Sequence, residues 1–452
     1  MASAPEPVLI EHGRVIDGTG APAVQQAVAL EGGKIAALGA AAEQWAERRN
    51  DVRRIDASGK TVMPGLIDAH CHVTFDEPLS NEELFFHRRE GLSAIIAAYN
   101  IRKVLRAGVT SLLDADCIFS VSLDLRDAIE ANVIEGPRMV CGGNALFTSV
   151  GGTAGMLIPD EGSIGYSRVT RTRDEIVTEV RRQIKNGVDW IKIHVTGVIP
   201  RQVAEGEIQV WTLDEMKAAV DAAHELGIPV VGHCRNASST RDAARAGFDM
   251  ILHATYMDEE ALEAVVDAKV PLVPTLTFQA VLAEYGPAVG ADAYLRDLFA
   301  REIEESSKML RRAYDAGVPI MCGSESGFSL TPYGEWHWRE LKVLVDHLGL
   351  SPLEAISCAT MQGGRAFGRY GELGVIADDK PADVLVVDGD VDKDVAILGE
   401  RERIKHVFQG GHDIDLATPL RERNPIPGWK VAPYSDRPLT YAFAQAHAAR
   451  SS

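Results

Sequence analysis

Between residues 66 and 368 the chain alternates short apolar runs with helical stretches, and no other feature constrains its fold as much. The apolar runs read as strands at Leu66–His72, Val109–Asp114, Arg138–Cys141, Trp190–Val195, Pro229–His233, Met250–His253, Leu272–Thr275 and Val318–Cys322. Helical periodicity fills the intervals, as at Arg173–Asn186, Leu213–Leu226 and Ala291–Ala316. Four joints read Ala107-Gly108, Asn186-Gly187, Ala246-Gly247 and Ala316-Gly317. A glycine there ends a helix in the left-handed conformation and turns the chain into the next strand. Parallel strands need a crossover of a dozen or more residues, usually a helix, so repeated β–α units imply a parallel sheet. Eight of them over this length predict an α/β chain with a (β/α)8 TIM barrel, whose chemistry gathers at the C-terminal strand ends.

The flanks have a different texture. Val8–Glu11, Ala27–Glu31 and Lys34–Leu38 read as strands, with a hairpin turn at Gly32-Gly33. Ala382–Val387 and Arg403–Gln409 read likewise near the other end. A small β-sandwich domain built from residues 1–65 and 369–425 is therefore expected beside the barrel at 66–368, with a tail over 426–452. A chain of 452 residues is also too long for one ordinary core.

Charge narrows the partners. There are 65 acidic against 46 basic residues, a formal net charge of -19. Such a surface disfavours nucleic acid and anionic membranes. The first residues lack a basic stretch followed by an apolar one, and no run of 18 apolar residues occurs. The expectation is a cytoplasmic protein with a small-molecule substrate. The six cysteines are scattered without a C-x-x-C pair, which reads as free buried thiols in a reducing compartment.

The residues able to carry chemistry fall at predicted strand ends. His70 and His72 are two apart on the first strand, so both imidazoles share a face and can ligate one metal. Asp68 shares that face and can orient a ligand or sit below the site. Cys71 points the other way. Lys192 lies inside an apolar strand, where an ammonium is costly unless neutral or paired. A neutral amine there can take up CO2 as a carbamate that bridges two metals. The competing reading is an ion pair with an acid such as Asp68 or Asp114. His194, on the same face, reads as a substrate contact or as a donor behind the ligands. His233 and His253 each end a further strand and extend the ligand set. Glu325 follows the eighth strand, where a carboxylate can ligate metal and accept a proton from water. Its alternative is a helix N-terminal acid.

Taken together these motifs resemble the amidohydrolase superfamily, in its imidazolonepropionase-related branch. That branch includes Xaa-Pro dipeptidases, ochratoxin-degrading amidases, and phenylurea and thiocarbamate hydrolases. The resemblance spans nearly the whole chain. It rests on Val62-Met-Pro-Gly-Leu-Ile-Asp-Ala-His-Cys-His72, Trp190-Ile-Lys-Ile-His-Val-Thr-Gly197, Val231-Gly-His233 and Ile251-Leu-His253, followed by Pro352–Thr360 and Gly374–Val387. It implies two divalent metal ions, one on His70 and His72 and the other on His233 and His253, bridged by N6-carboxylated Lys192. Zinc suits these ligands first; cobalt, manganese and iron also fit. A hydroxide between the metals would attack an amide, dipeptide, carbamate or urea carbonyl, with Glu325 carrying the proton to the leaving nitrogen.

Three positions depart from the usual pattern. Glu325 stands where relatives carry aspartate, Thr153 where many carry histidine, and His233-Cys234-Arg235 where many carry His-x-His. Arg235 offers a fixed cation to an anionic substrate group, or an ion pair behind the site. Thr153, His194, Arg235 and Tyr256 are the candidate substrate contacts, and a homo-oligomer is expected. Residues 142–172, with Gly151 and Gly152, read as an active-site loop. The alternatives are a mononuclear deaminase or lactam hydrolase with unmodified Lys192, and a degenerate barrel acting as a binding subunit.

Overall fold

The structure is a computed structural model describing residues 4–79, 89–152, 165–198, 207–370 and 373–424. The chain divides into two units, Met1–Ala417 and Thr418–Ser452. Residues 418–424 of the second form neither helix nor strand.

Within the first unit the strands of the central segment pair in parallel. Val109–Asp114 lies between Leu66–Cys71 and Arg138–Cys141. A second sheet runs Ser167–Val169, Ala145–Phe147, Ile191–His194, Val230–Cys234, Met250–His253, Leu272–Val273, parallel throughout. A parallel bridge between Gly142 and Trp190 links the two. Six of the expected strands agree with the sequence reading to within one residue at each end, and Leu272–Val273 is two residues shorter at its C-terminal end. The eighth differs: residues 318–322 make only one bridge, Ile320 with Leu272, and Ala69 N–H donates to the Cys322 carbonyl at 2.8 Å. Pro319 has no N–H to give to a ladder, which explains the interruption. One buried apolar cluster draws on all eight segments, through Ile67, Leu113, Val140, Trp190, Val231, Leu252, Val273 and Met321. Helices alternate with these strands as the periodicity requires. Gly108 (φ 89°) and Gly247 (φ 90°) adopt the left-handed conformation expected at the joints. Short strands at Ala145–Phe147 and Ser167–Val169, and the hairpin Thr196–Val198 with Ile208–Gln209, were not legible in the sequence.

Both chain ends contribute to one sheet. Its order is His412–Asp413, Ile404–Gln409, Val384–Asp388, Lys60–Pro64, Val8–Val15, Val24–Glu31, Lys34–Leu38, with Arg53–Asp56 beside Val8–Val15. Alternation along the strands buries both faces. Val8, Ile10, Val28 and Leu30 pack with Val384 and Phe408. Leu9, Ala27 and Ala29 pack with Ala42 and Ala46 of the helix Gly39–Glu47. The sheet meets the central segment where Lys60–Pro64 runs through Gly65 into the histidine-bearing strand.

Candidate metal centre

The histidines singled out from the sequence converge. His70, His72, His194, His233 and His253 are buried at strand ends. Their rings form a chain: His72 to His70 at 5.0 Å between centroids, His70 to His253 at 5.2 Å, His253 to His233 at 4.4 Å, and His233 stacked on His194 at 4.8 Å. One ligand atom each from His70, His72 and Glu325 lie within 4.8 Å of one another. His253 Nε2 is 3.0 Å from His233 Nδ1. The strand pairing around His70 is irregular between Asp68 and Cys71. Gly323 makes the approach of the eighth segment feasible, because a Cβ there would come within 2.6 Å of His70 Cβ.

His253 (φ 69°), Thr275 (φ 52°) and Glu325 (φ 55°) all hold the left-handed conformation, unusual for non-glycine residues. Strained backbone of this kind clusters where a site must aim side chains.

Asp116, two residues beyond the second strand, is the central acid. Its Oδ2 accepts from His194 Nε2 at 2.7 Å and lies 3.5 Å from Lys192 Nζ. Its Oδ1 is 2.8 Å from His72 Nδ1, at ion-pair distance but outside hydrogen-bond angles. Burial alone would raise this carboxyl, yet Lys192 and His72 hold it well below the usual range. Burial likewise opposes the charge on His72, but Asp116 and Glu325, 3.8 Å away, outweigh it and lift the ring to about 9. His194 is pulled down to about 3, chiefly by burial. Burial also takes His70 and His253 well below the ordinary imidazole value.

Lys192 is thus buried beside one carboxylate, and that acid is Asp116 rather than Asp68 or Asp114. Asp114 takes the Ser122 hydroxyl and the Val73 N–H, and burial lifts it to about 7. Asp68 faces Ser324 and His337.

Glu207, from the hairpin after the Lys192 strand, accepts from His233 Nε2 at 3.0 Å and from the Thr196 hydroxyl at 2.8 Å. Burial would raise it, but His233 and Arg235 outweigh burial and take it down to about 2. An ionised carboxylate only accepts, so His233 carries its proton on Nε2 and turns the Nδ1 lone pair towards His253.

Arg235 donates through Nη2 to Glu302 at 2.6 Å, and its Nε is 3.6 Å from Glu207. Its guanidinium is therefore paired with two acids. Tyr256 is half-buried and its backbone N–H donates to Ser306 Oγ. Thr153, with residues 154–164 of the same loop, lies outside the described residues. Aromatic rings against the histidines include Phe75, stacked on His72 at 4.1 Å, and Phe147, 5.0 Å from His194, with Phe328 and Tyr166 edge-on to the same two imidazoles. Trp336 and Trp338 stack on each other, and Tyr285 meets Trp336.

Sequence reasoning missed Asp116, Glu207, Thr275 and His337. Asp116 left one trace: Asp114-Ala-Asp116 repeats at the second strand end the spacing of Asp68-Ala-His70. The others lie in turns and connections outside the helices and strands, whose place is set by tertiary packing.

The sequence matches the Amidohydrolase family over residues 61–413. It is 24% identical to an ochratoxinase of Aspergillus niger over 429 residues, covering 89% of this chain and 85% of the relative. It is 23% identical to an imidazolonepropionase of Thermoplasma volcanium over 420 residues, covering 84% and 88%. A crystal structure of a Xaa-Pro dipeptidase with bound methionine in the active site superposes with a TM-score of 0.77 at 27% identity, covering 90% of this chain and 99% of that one. The match over residues 61–413 takes in the whole histidine array and both parallel sheets of the central segment, and the chain belongs to the amidohydrolase family.

Proposed function

We propose that the chain is a metal-dependent hydrolase that cleaves an amide-type C–N bond in an amide, dipeptide, carbamate or urea. The observation that carries this is the convergence of His70, His72 and Glu325 within 4.8 Å, deep in a buried site. Buried His70 Nε2 and His253 Nδ1 have no hydrogen-bond partner, a cost that a bound cation removes. Imidazole and carboxylate donors suit zinc first, then cobalt, manganese or iron. The parallel pairings, and the bridges at Gly142–Trp190, Leu272–Ile320 and Cys71–Ser326, support a (β/α)8 barrel with the site at its C-terminal mouth. The sheet of both chain ends would form the smaller domain.

His70 and His72 with Glu325 would hold one ion, and His233 with His253 a second. Divalent ions there supply Lewis acidity to the carbonyl and bring the pKa of water towards about 7. Glu325 takes the proton from the attacking water and delivers it to the leaving nitrogen. Lys192, as a carbamate, would be an anion beside the Asp116 carboxylate. Two anions at that spacing repel, so the modification would persist only with cations bound. Asp116 orients His72 and His194, and Phe75 and Phe147 keep water from the rings. Acid-paired Arg235 is a wall of the pocket rather than an open cation.

The amide-cleaving names among the relatives support the reaction class. A mononuclear centre remains the second reading: His233 and His253 are not part of the three-residue cluster, and Lys192 is paired with Asp116. The test is turnover of a panel of N-acyl amino acids, Xaa-Pro dipeptides, carbamates and phenylureas. The proposal expects hydrolysis that chelator abolishes and divalent ions restore. Hydrolysis indifferent to chelation, or deamination alone, contradicts it.

A further inference from the structure

We propose that Thr275 is a positioning residue that fixes His70 in the tautomer able to ligate a metal, an inference that rests on the metal-centre reading above. Thr275 follows the seventh strand and is fully buried. Its Oγ1 lies 3.1 Å from the Val273 carbonyl and 2.9 Å from His70 Nδ1. A carbonyl oxygen only accepts, so the single hydroxyl proton goes to Val273. The same oxygen then faces His70 as an acceptor, and the ring proton must sit on Nδ1. His70 Nε2 keeps its lone pair, buried and without a hydrogen-bond partner. A neutral imidazole binds metal through the nitrogen that lacks hydrogen, and the bond at its other nitrogen decides which one that is.

Two further observations set Thr275 apart from an ordinary buried hydroxyl. Its φ of 52° is one that β-branched residues avoid. The chain holds this conformation where the residue after the seventh strand contacts His70 of the first. Gly323 packs against the same pair: a Cβ there would lie 2.6 Å from His70 Cβ and 3.1 Å from Thr275 Oγ1. The backbone of Gly323 thus lies close against both members of the Thr275–His70 pair.

The test compares wild type with Thr275→Val, Thr275→Ser and Thr275→Gly. The readouts are the zinc dissociation constant, by competition with a chromophoric chelator, and the thermal midpoint of the metal-free protein. Valine removes the acceptor and keeps the shape; serine keeps the acceptor; glycine removes it while accepting positive φ, so a folded protein without the hydroxyl is available even if valine does not fold. Zinc affinity should fall about 10- to 100-fold in the valine and glycine variants and stay near wild type in serine. A merely structural hydroxyl would shift the metal-free midpoint and leave zinc affinity alone, and that result overturns the inference. Wild type that binds no zinc overturns the metal-centre reading first, and this inference with it.

Discussion

His337 donates through Nδ1 to Asp68 Oδ2 at 2.7 Å, while its Nε2 accepts the Gly334 N–H at 3.1 Å. Asp68 also receives the backbone N–H of His70, and the N–H and hydroxyl of Ser324. One carboxylate thus ties the strand of His70 to the turn that carries Glu325. Asp68→Asn exchanges an all-acceptor group for an amide that must turn two hydrogens on existing donors. The variant should fold, lose zinc affinity, and lose about 10- to 100-fold in kcat/KM. Steady-state kinetics within about twofold of wild type would deny this tie a functional role.

Glu325 is asked to do two things, to ligate and to carry a proton. Glu325→Gln keeps the shape and removes the base, so kcat should fall about 10²- to 10⁴-fold. Glu325→Asp keeps the carboxylate one methylene further back and should recover part of the loss. Equal kcat for glutamine and glutamate would remove the residue from the chemistry.

Glu207 enforces the proton on His233 Nε2. Glu207→Gln can donate as well as accept, so the tautomer is no longer set. Metal titration should show one class of sites weakened about tenfold or more, with His70 and His72 still loading. Uniform loss across all sites would point to general disruption instead.

Stability should vary with pH through Glu340. Its carboxylate is fully buried, accepts the N–H groups of Leu276 and Thr277 and the Thr277 hydroxyl, and burial lifts it to about 7. The folded state then holds a proton between the ordinary glutamate value and about 7 that the unfolded chain has released. Folding is favoured by that proton at low pH, and the contribution declines as pH rises through the window. Glu340→Gln cannot titrate. The thermal midpoint of wild type minus variant should therefore shrink from pH 5 to pH 8. A difference that widens towards alkaline pH contradicts the assignment.

The strands and the convergence of the histidines were legible because each follows from local pattern. An apolar run sets a strand, and a histidine at its C-terminal end falls beside those that end the neighbouring parallel strands. The tautomer-setting groups were not. Thr275 and Glu207 act on rings 205 and 26 residues away in sequence, and His337 on Asp68 across 269. No spacing rule encodes such pairings. Lys192 shows the middle case: its burial was read correctly, but its acid partner is Asp116, not Asp68 or Asp114. The eighth strand was read in the right place and is reduced to a bridge by Pro319.

The central claim is a metal centre organised around the histidines and Lys192. Elemental analysis of protein purified without chelator, beside a Lys192→Ala variant, tests it most directly. The account predicts about two divalent ions per chain in wild type and a sharp fall in the variant. About one ion, unchanged by the substitution, would contradict the carbamate bridge and leave the mononuclear reading, and no bound ion with full activity would contradict the metal centre itself.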